Sequence, residues 1–178
     1  MTGPTLIFDL ETQRLADEVG GWKHIARMGL ACAVTLDLAT GEYSRYLEPE
    51  AARLADELLA ASLVVGFNVR RFDYTVLQPY SSRPLAGIPT VDILEHVERS
   101  LGFRLPLEAL ARGTLGAAKS ATGNEAVQWF REGRLEELFE YCQQDVVVTR
   151  GLYEHGLTHK HLKYYDRYGR LKRVPVRW

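Results

Sequence analysis

Four acidic residues in three short contexts carry the chemistry legible in this chain. Asp9 and Glu11 stand in Leu6-Ile7-Phe8-Asp9-Leu10-Glu11-Thr12. Asp73 closes Val64-Val65-Gly66-Phe67-Asn68-Val69-Arg70-Arg71-Phe72-Asp73, and Asp145 closes Tyr141-Cys142-Gln143-Gln144-Asp145. A carboxylate set among apolar residues is costly unless it is paired or binds a cation. Three such placements in one small chain point to a hard-metal site built from oxygen ligands, and hence to phosphate chemistry.

The local periodicities sharpen this. In an extended strand residues i and i+2 share a face, so Asp9 and Glu11 project together while Phe8 and Leu10 point the other way. Two adjacent carboxylates repel unless a cation lies between them. An exposed strand edge with two unrelated acids is the plainer alternative, and it fits poorly because residues 5–10 are otherwise so apolar. On a helix Tyr141 and Asp145 are i and i+4, on one face, so the phenol can sit beside whatever the carboxylate binds. Taken alone, Tyr141 and Asp145 would be an ordinary surface pair, and Asp73 a helix-capping acid. The three together, in this order, carry the weight.

The elements that must hold these residues follow from pattern and turn chemistry. Strands are expected at 5–11, 27–38, 42–47, 63–67 and 88–93, with a turn at Ala39-Thr40-Gly41. Helices are expected at 50–61 and 71–80. From about 94 to 156 the chain reads mostly helical, broken at Gly102, Gly113, Gly116, Gly123 and Gly133. The last residues alternate around Arg167-Tyr168-Gly169-Arg170 and read as a β-hairpin. The fold class is therefore α/β: a mixed five-stranded sheet flanked by helices, with a C-terminal hairpin. The expected division is a domain over residues 1–157 and a basic, aromatic extension of it over 158–178.

Bulk properties set the context. The 178 residues suffice for one domain with a real core, and 46% hydrophobic with 25% charged residues is ordinary for a soluble globular protein. No apolar run approaches the roughly 18 residues of a membrane helix, and no signal peptide is read at the N-terminus. Cys32 and Cys142 are expected as reduced, mostly buried thiols, with a cytoplasmic location as the default. Charge is uneven. Residues 158–178 hold seven basic residues against Asp166, a net of +6, which leaves −7 on residues 1–157 and gives the overall −1. An acidic body with a basic tail suggests a metal site on one part and polyanion contact on the other. The tail also carries Tyr164, Tyr165, Tyr168 and Trp178. Cation-plus-aromatic surfaces suit single strands; the alternative is a hairpin whose aromatics pack on the body.

These motifs resemble those of the DEDD (DnaQ-like) 3′–5′ exonucleases, which have the ribonuclease H-like fold. Phe8-Asp9-Leu10-Glu11-Thr12 resembles the first motif, Asn68 through Phe72-Asp73 the second, and Tyr141 through Asp145 to Thr149 the third in its tyrosine (DEDDy) form. The histidine form would place His where Glu140 stands. Thr90-Val91-Asp92-Ile93 and residues 107–119 are similar to exonuclease domains of family B DNA polymerases and to stand-alone and helicase-associated relatives. The resemblance covers roughly residues 5–155.

The resemblance implies a two-metal 3′–5′ exonuclease, a phosphodiesterase releasing nucleoside 5′-monophosphates from the 3′ end of single-stranded DNA or RNA. Asp9 would bridge two Mg²⁺ ions, with Mn²⁺ as a substitute. Glu11 and Asp145 would complete the first ion's set, Asp73 would support the second, and Tyr141 would orient the attacking water. For substrate binding it implies Leu10, Thr12 and Asn68. Phe72 is read as core before base-stacking, and Lys119 as a phosphate contact or a solvated lysine. The loop from Gln13 to Ala26, with Trp22, Lys23 and His24, is expected either to wall the 3′-end pocket or to be plain surface. Two further readings stand beside this one: a binding module of a repair or helicase assembly that has kept the fold, and a ribonuclease H-type endonuclease. The partner implied is nucleic acid with a 3′ end; a helicase or repair partner goes with the binding-module reading, a membrane is not expected, and the oligomeric state is left open.

Overall fold

A computed structural model describes residues 3–117 and 123–178. Five strands form the main sheet: β1 (Thr5–Thr12), β2 (Leu30–Asp37), β3 (Tyr43–Leu47), β4 (Leu63–Gly66) and β5 (Thr90–Asp92). Their spatial order is β3-β2-β1-β4-β5. β2 runs antiparallel to both β1 and β3, while β4 runs parallel to β1 and β5 parallel to β4. The helices are α1 (Ala51–Ala60), α2 (Asp73–Leu77), α3 (Ile93–Leu101), α4 (Leu107–Leu115), α5 (Gly123–Arg131) and α6 (Leu135–His159). A separate two-stranded antiparallel hairpin, β6 (His161–Tyr165) and β7 (Leu171–Pro175), follows α6. The mixed sheet, its flanking helices and the hairpin are those expected from the pattern. Among the described residues no helix is long and apolar enough to cross a membrane.

The central strand β1 divides the interior by its period of two. Ile7 belongs to a core with β2, α4 and α6 that includes Val34, Leu110, Leu138, Cys142 and Val146. Leu6, Phe8 and Leu10 belong to a second core on the opposite face, with Leu54 and Leu58 of α1 and Val76 and Leu77 of α2. Asp9 and Glu11 therefore continue the Ile7 face, the one against which α6 packs. Leu162, Val174 and Val176 bring the hairpin into that same core.

Several expected boundaries move, each for a local reason. The second strand begins at Leu30 rather than at 27, because Trp22–Arg27 is wound as 3-10 turns and Gly29 has φ +73°. The fourth ends at Gly66, where the chain turns through Asn68 at φ +65°. A Cβ on Gly66 would sit 2.1 Å from Val69 Cγ1 and 3.0 Å from Phe8 O, so only glycine allows this turn to lie against β1. The fifth strand is only Thr90–Asp92, because Asp92 caps α3 and makes Ile93 its first helical residue. The helix expected at 71–80 is α2 followed by a 3-10 turn at Gln78–Tyr80, which contains Pro79.

One of the five expected helix breaks is not a break: Gly113 lies inside α4, whereas Gly123 is the first residue of α5. A Cβ at Gly113 would come 2.4 Å from Lys163 O, so the glycine is where α4 meets the backbone of β6. Thr114 fastens the same contact: its hydroxyl donates to Lys163 O at 3.0 Å and accepts from Lys163 N at 2.8 Å.

Candidate active site

Asp9 and Glu11 sit where β1 outruns one of its neighbours. Pairing with β4 covers only Thr5–Ile7, opposite Leu63–Val65. Beyond Ile7 that edge is free, and the amide of Leu10 would lack a strand partner. Asp73, the first residue of α2, takes it: its Oδ1 accepts from Leu10 N at 3.2 Å. The second motif thus returns to the first because a buried backbone donor must be satisfied.

Across the other face, α6 lays Asp145 over this strand end. One carboxylate oxygen from each of Asp9, Glu11 and Asp145 lies within 4.8 Å of the other two. Tyr141, one turn before Asp145 on α6, is close enough that its phenol lowers the pKa of the Asp145 carboxyl and the carboxylate raises that of the phenol. Cys142, on the same helix, places Sγ 3.4 Å from Asp9 O and 3.6 Å from its Oδ2. Both cysteines are free and buried, as expected.

The electrostatics call for a cation. Burial, then the neighbouring carboxylates of Asp73, Asp145 and Glu11, holds Asp9 well above the usual range. Burial also raises Glu11, followed by Cys32, Asp145 and Asp73. Asp145 is lifted to about 6 by burial, against the lowering effect of the Tyr141 hydrogen bond. Asp73 is only 2% exposed, and burial lifts it to about 8, although its own amide and that of Leu10 oppose the rise. Burial and the three carboxylates raise Tyr141 as well, so its phenol stays protonated. Among the described residues no ion pair engages any of these four acids. Converging carboxylates without a cationic side chain match an all-oxygen donor set for Mg²⁺ or Mn²⁺.

Three of the four acids open into a cavity of about 430 Å³. Asp9, Glu11 and Asp73 line it with Leu10, Thr12, Phe67 and Phe72. The loop between β1 and β2 supplies Leu15, Ala16, Asp17, Trp22 and Met28, and the start of α5 adds Gly123 and Asn124. The Trp22 and Phe72 rings lie 6.3 Å apart at its rim. The loop is thus a wall, through Trp22; Lys23 and His24 are not among the lining residues.

The residues expected to bind substrate are distributed unevenly. Leu10 and Thr12 line the cavity, but their polar groups are already engaged: Leu10 N by Asp73, and the Thr12 hydroxyl by Arg14 O at 3.0 Å. Phe72 is half-buried, packing on the α1–α2 core while facing the cavity. Asn68 lines a neighbouring recess instead, and its Oδ1 accepts from Arg104 at 2.7 Å. Lys119 lies outside the described residues.

Two further residues support the site beyond those expected. Asp92 is 1% exposed and binds the second motif together. Its Oδ1 accepts from Asn68 N, Leu94 N and Glu95 N, and its Oδ2 from Arg70 N. An acid just before a helical run was the available signal. Arg104 carried no signal, because its partner lies 36 residues away.

A family model described as RNase_H superfamily (RNase_H_2) matches residues 6–157. Comparison with curated proteins returns no match.

Proposed function

The chain belongs to the RNase H superfamily, and from that premise we propose that it is a metal-dependent 3′–5′ exonuclease of the DEDDy type, acting on single-stranded nucleic acid. The observation that carries this reading is the convergence of Asp9, Glu11 and Asp145, with Tyr141 beside Asp145 and with Asp73 lining the same cavity as Asp9 and Glu11. Asp9, Glu11 and Asp145 would hold one Mg²⁺ or Mn²⁺ ion, and Asp9 with Asp73 a second. Bound there, such ions supply an activated water and neutralise charge on the attacking and leaving oxygens.

The chain's own groups do the rest. Tyr141, kept neutral, has a hydroxyl able to hold the attacking water in line with the phosphorus. Glu140, where the related subgroup carries histidine, is exposed. The loop wall with Trp22 and Phe72 bounds a space of single-ligand size, in the range of roughly 300–1,000 Å³. A wall of this kind favours a terminal nucleotide over the middle of a strand.

A 5′-labelled single-stranded oligonucleotide and a covalently closed single-stranded circle of the same composition test the proposal. In Mg²⁺ the linear strand should shorten one nucleotide at a time from its 3′ end, with nucleoside 5′-monophosphates released, while the circle survives. Asp9→Ala or EDTA should abolish this. Cutting of the circle would replace an exonuclease with an endonuclease. No metal-dependent cleavage of either substrate would leave a binding module.

A further inference from the structure

The aromatic residues of the C-terminal segment divide into two sets. Trp178 packs inward: it stacks on Tyr153 at 6.1 Å, donates Nε1–H to Tyr153 O at 3.1 Å, and lies over Gly156, where a Cβ would come within 2.2 Å of its ring. Tyr165 and Tyr168 face outward and are 41% and 65% exposed. Guanidinium groups cover these outward rings: Arg112 lies 5.3 Å from the Tyr165 centroid, and Arg167 and Arg170 lie 4.8 and 5.0 Å from that of Tyr168. The one acid of the hairpin, Asp166, is paired to Arg170 at 2.9 Å with Lys172 at 4.0 Å.

These rings border a cleft of about 470 Å³ between the hairpin and the loop joining α3 to α4, with Phe103 and Leu105 on its far side. Phe103 meets Tyr164 edge to face at 6.3 Å. The intervening residue, Arg104, faces the opposite way. It lines a recess of about 310 Å³ with Asn68, Arg71, Trp22 and Phe72. Trp22 and Phe72 also line the acidic cavity. The acidic cavity and the Arg104 recess thus adjoin through Trp22 and Phe72, and the aromatic cleft lies across the loop that carries Phe103, Arg104 and Leu105; Arg71, Arg104, Arg167 and Lys172 line this route.

We infer that this succession is the track of the substrate strand, and that Tyr165 and Tyr168 are a stacking platform for bases several nucleotides upstream of the 3′ end. The inference rests on the cavity being the site where the 3′ end is cut. Cationic groups neutralise phosphates without regard to sequence, and a base stacks on one of these rings by taking the place of the guanidinium over it, which is then free to pair with a phosphate. A duplex hides those faces, so the partner is single-stranded. The fourteen positions from Asp145 to His159 at the foot of the hairpin correspond to about 21 Å of α6 at ~1.5 Å per residue. A strand must therefore be several nucleotides long to reach the platform.

Binding measured in EDTA separates this inference from the question of cleavage. Fluorescence anisotropy would follow 5′-labelled oligothymidylates of 3, 6, 12 and 16 nucleotides and a blunt duplex. For the wild-type chain, affinity should climb with length and exceed that for the duplex. In Tyr165→Ala/Tyr168→Ala the 12- and 16-mers should bind about tenfold or more weakly and the gain with length should flatten. In Arg167→Ala/Lys172→Ala, which spares the aromatic rings, the salt dependence of 16-mer binding should fall by about 1.4 in slope, ~0.7 per phosphate contact. All four side chains are at the surface, and a melting curve confirms that each variant is folded. Unchanged 16-mer binding and salt slope in both variants would overturn the track, as would equal weakening for the trinucleotide or equal weakening for the duplex. Wild-type protein that binds long strands in this way but releases no mononucleotides in Mg²⁺ would remove the exonuclease reading and leave the platform standing.

Discussion

Replacing Asp145 by Asn should stabilise the metal-free protein while abolishing its response to metal. In the folded chain Asp145 is held at about 6 by burial, against 3.8 for an unperturbed aspartate. At ~1.36 kcal/mol per tenfold change, that gap makes the ionised side chain cost about 3 kcal/mol at pH 8. The cost is absent below the unfolded value, grows as pH rises from about 4 to 6, and is complete above 6. Asn keeps the shape and an acceptor oxygen beside Tyr141, and it also relieves the repulsion that Asp145 exerts on Asp9 and Glu11. Asp145 is only half-buried, so solvent screening removes part of the gain and a net ~1–3 kcal/mol is expected. For a chain of this size that is a rise of roughly 2–10 °C in Tm. Calorimetry in EDTA at pH 8 and at pH 4 should show the variant more stable at pH 8 and nearly equal to wild type at pH 4. With saturating Mg²⁺ or Mn²⁺ the order should narrow or reverse, because only the wild type keeps its full ligand set. An Asp145→Asn chain that melts lower than wild type in EDTA at pH 8, or a wild type whose Tm ignores both metals, would refute the reasoning.

The site and its supports yield three further expectations. Tyr141→Phe should lower turnover by roughly 10²-fold or more while metal affinity, read by calorimetric titration, stays within a few fold; full activity would remove Tyr141 from the reaction. Asp73 is raised to about 8 by burial, so in the metal-free state the folded chain binds more protons than the unfolded chain between about pH 4 and 8. Its Tm should fall as pH rises across that window and flatten with Mg²⁺, and a rise with pH would contradict the assignment. Asp92→Asn places an amide donor against the amides of Arg70 or of Asn68, Leu94 and Glu95, and should cost about 2–4 kcal/mol in denaturant unfolding; a neutral change would mean that this capping is dispensable.

Much of the fold was legible because its signals are local. Alternation placed Asp9 and Glu11 on one face of a buried strand, and the i, i+4 spacing placed Tyr141 above Asp145. Turn residues separated five strands in the right order. Where boundaries slipped, a distant contact had overruled the local signal. Gly113 reads as a helix breaker, but the close approach of Lys163 O makes it a packing residue within a continuous helix. The strand expected from residue 27 yields its first turn to the 3-10 winding that brings Trp22 to the cavity.

By itself the sequence determined which side chains carry charge toward the site and on which face of its own element each one lies, because periods of 2 and 3.6 are properties of a few neighbouring residues. Only the tertiary structure decided what those faces meet. Asp73 reaches Leu10 N across 63 positions, and Cys142 reaches Asp9 across 133. The inward turn of Trp178 was likewise settled by the space α6 leaves over Gly156, while Tyr168 stays 65% exposed. Such contacts follow from which buried groups must be satisfied and which volumes must be filled once the whole chain is packed.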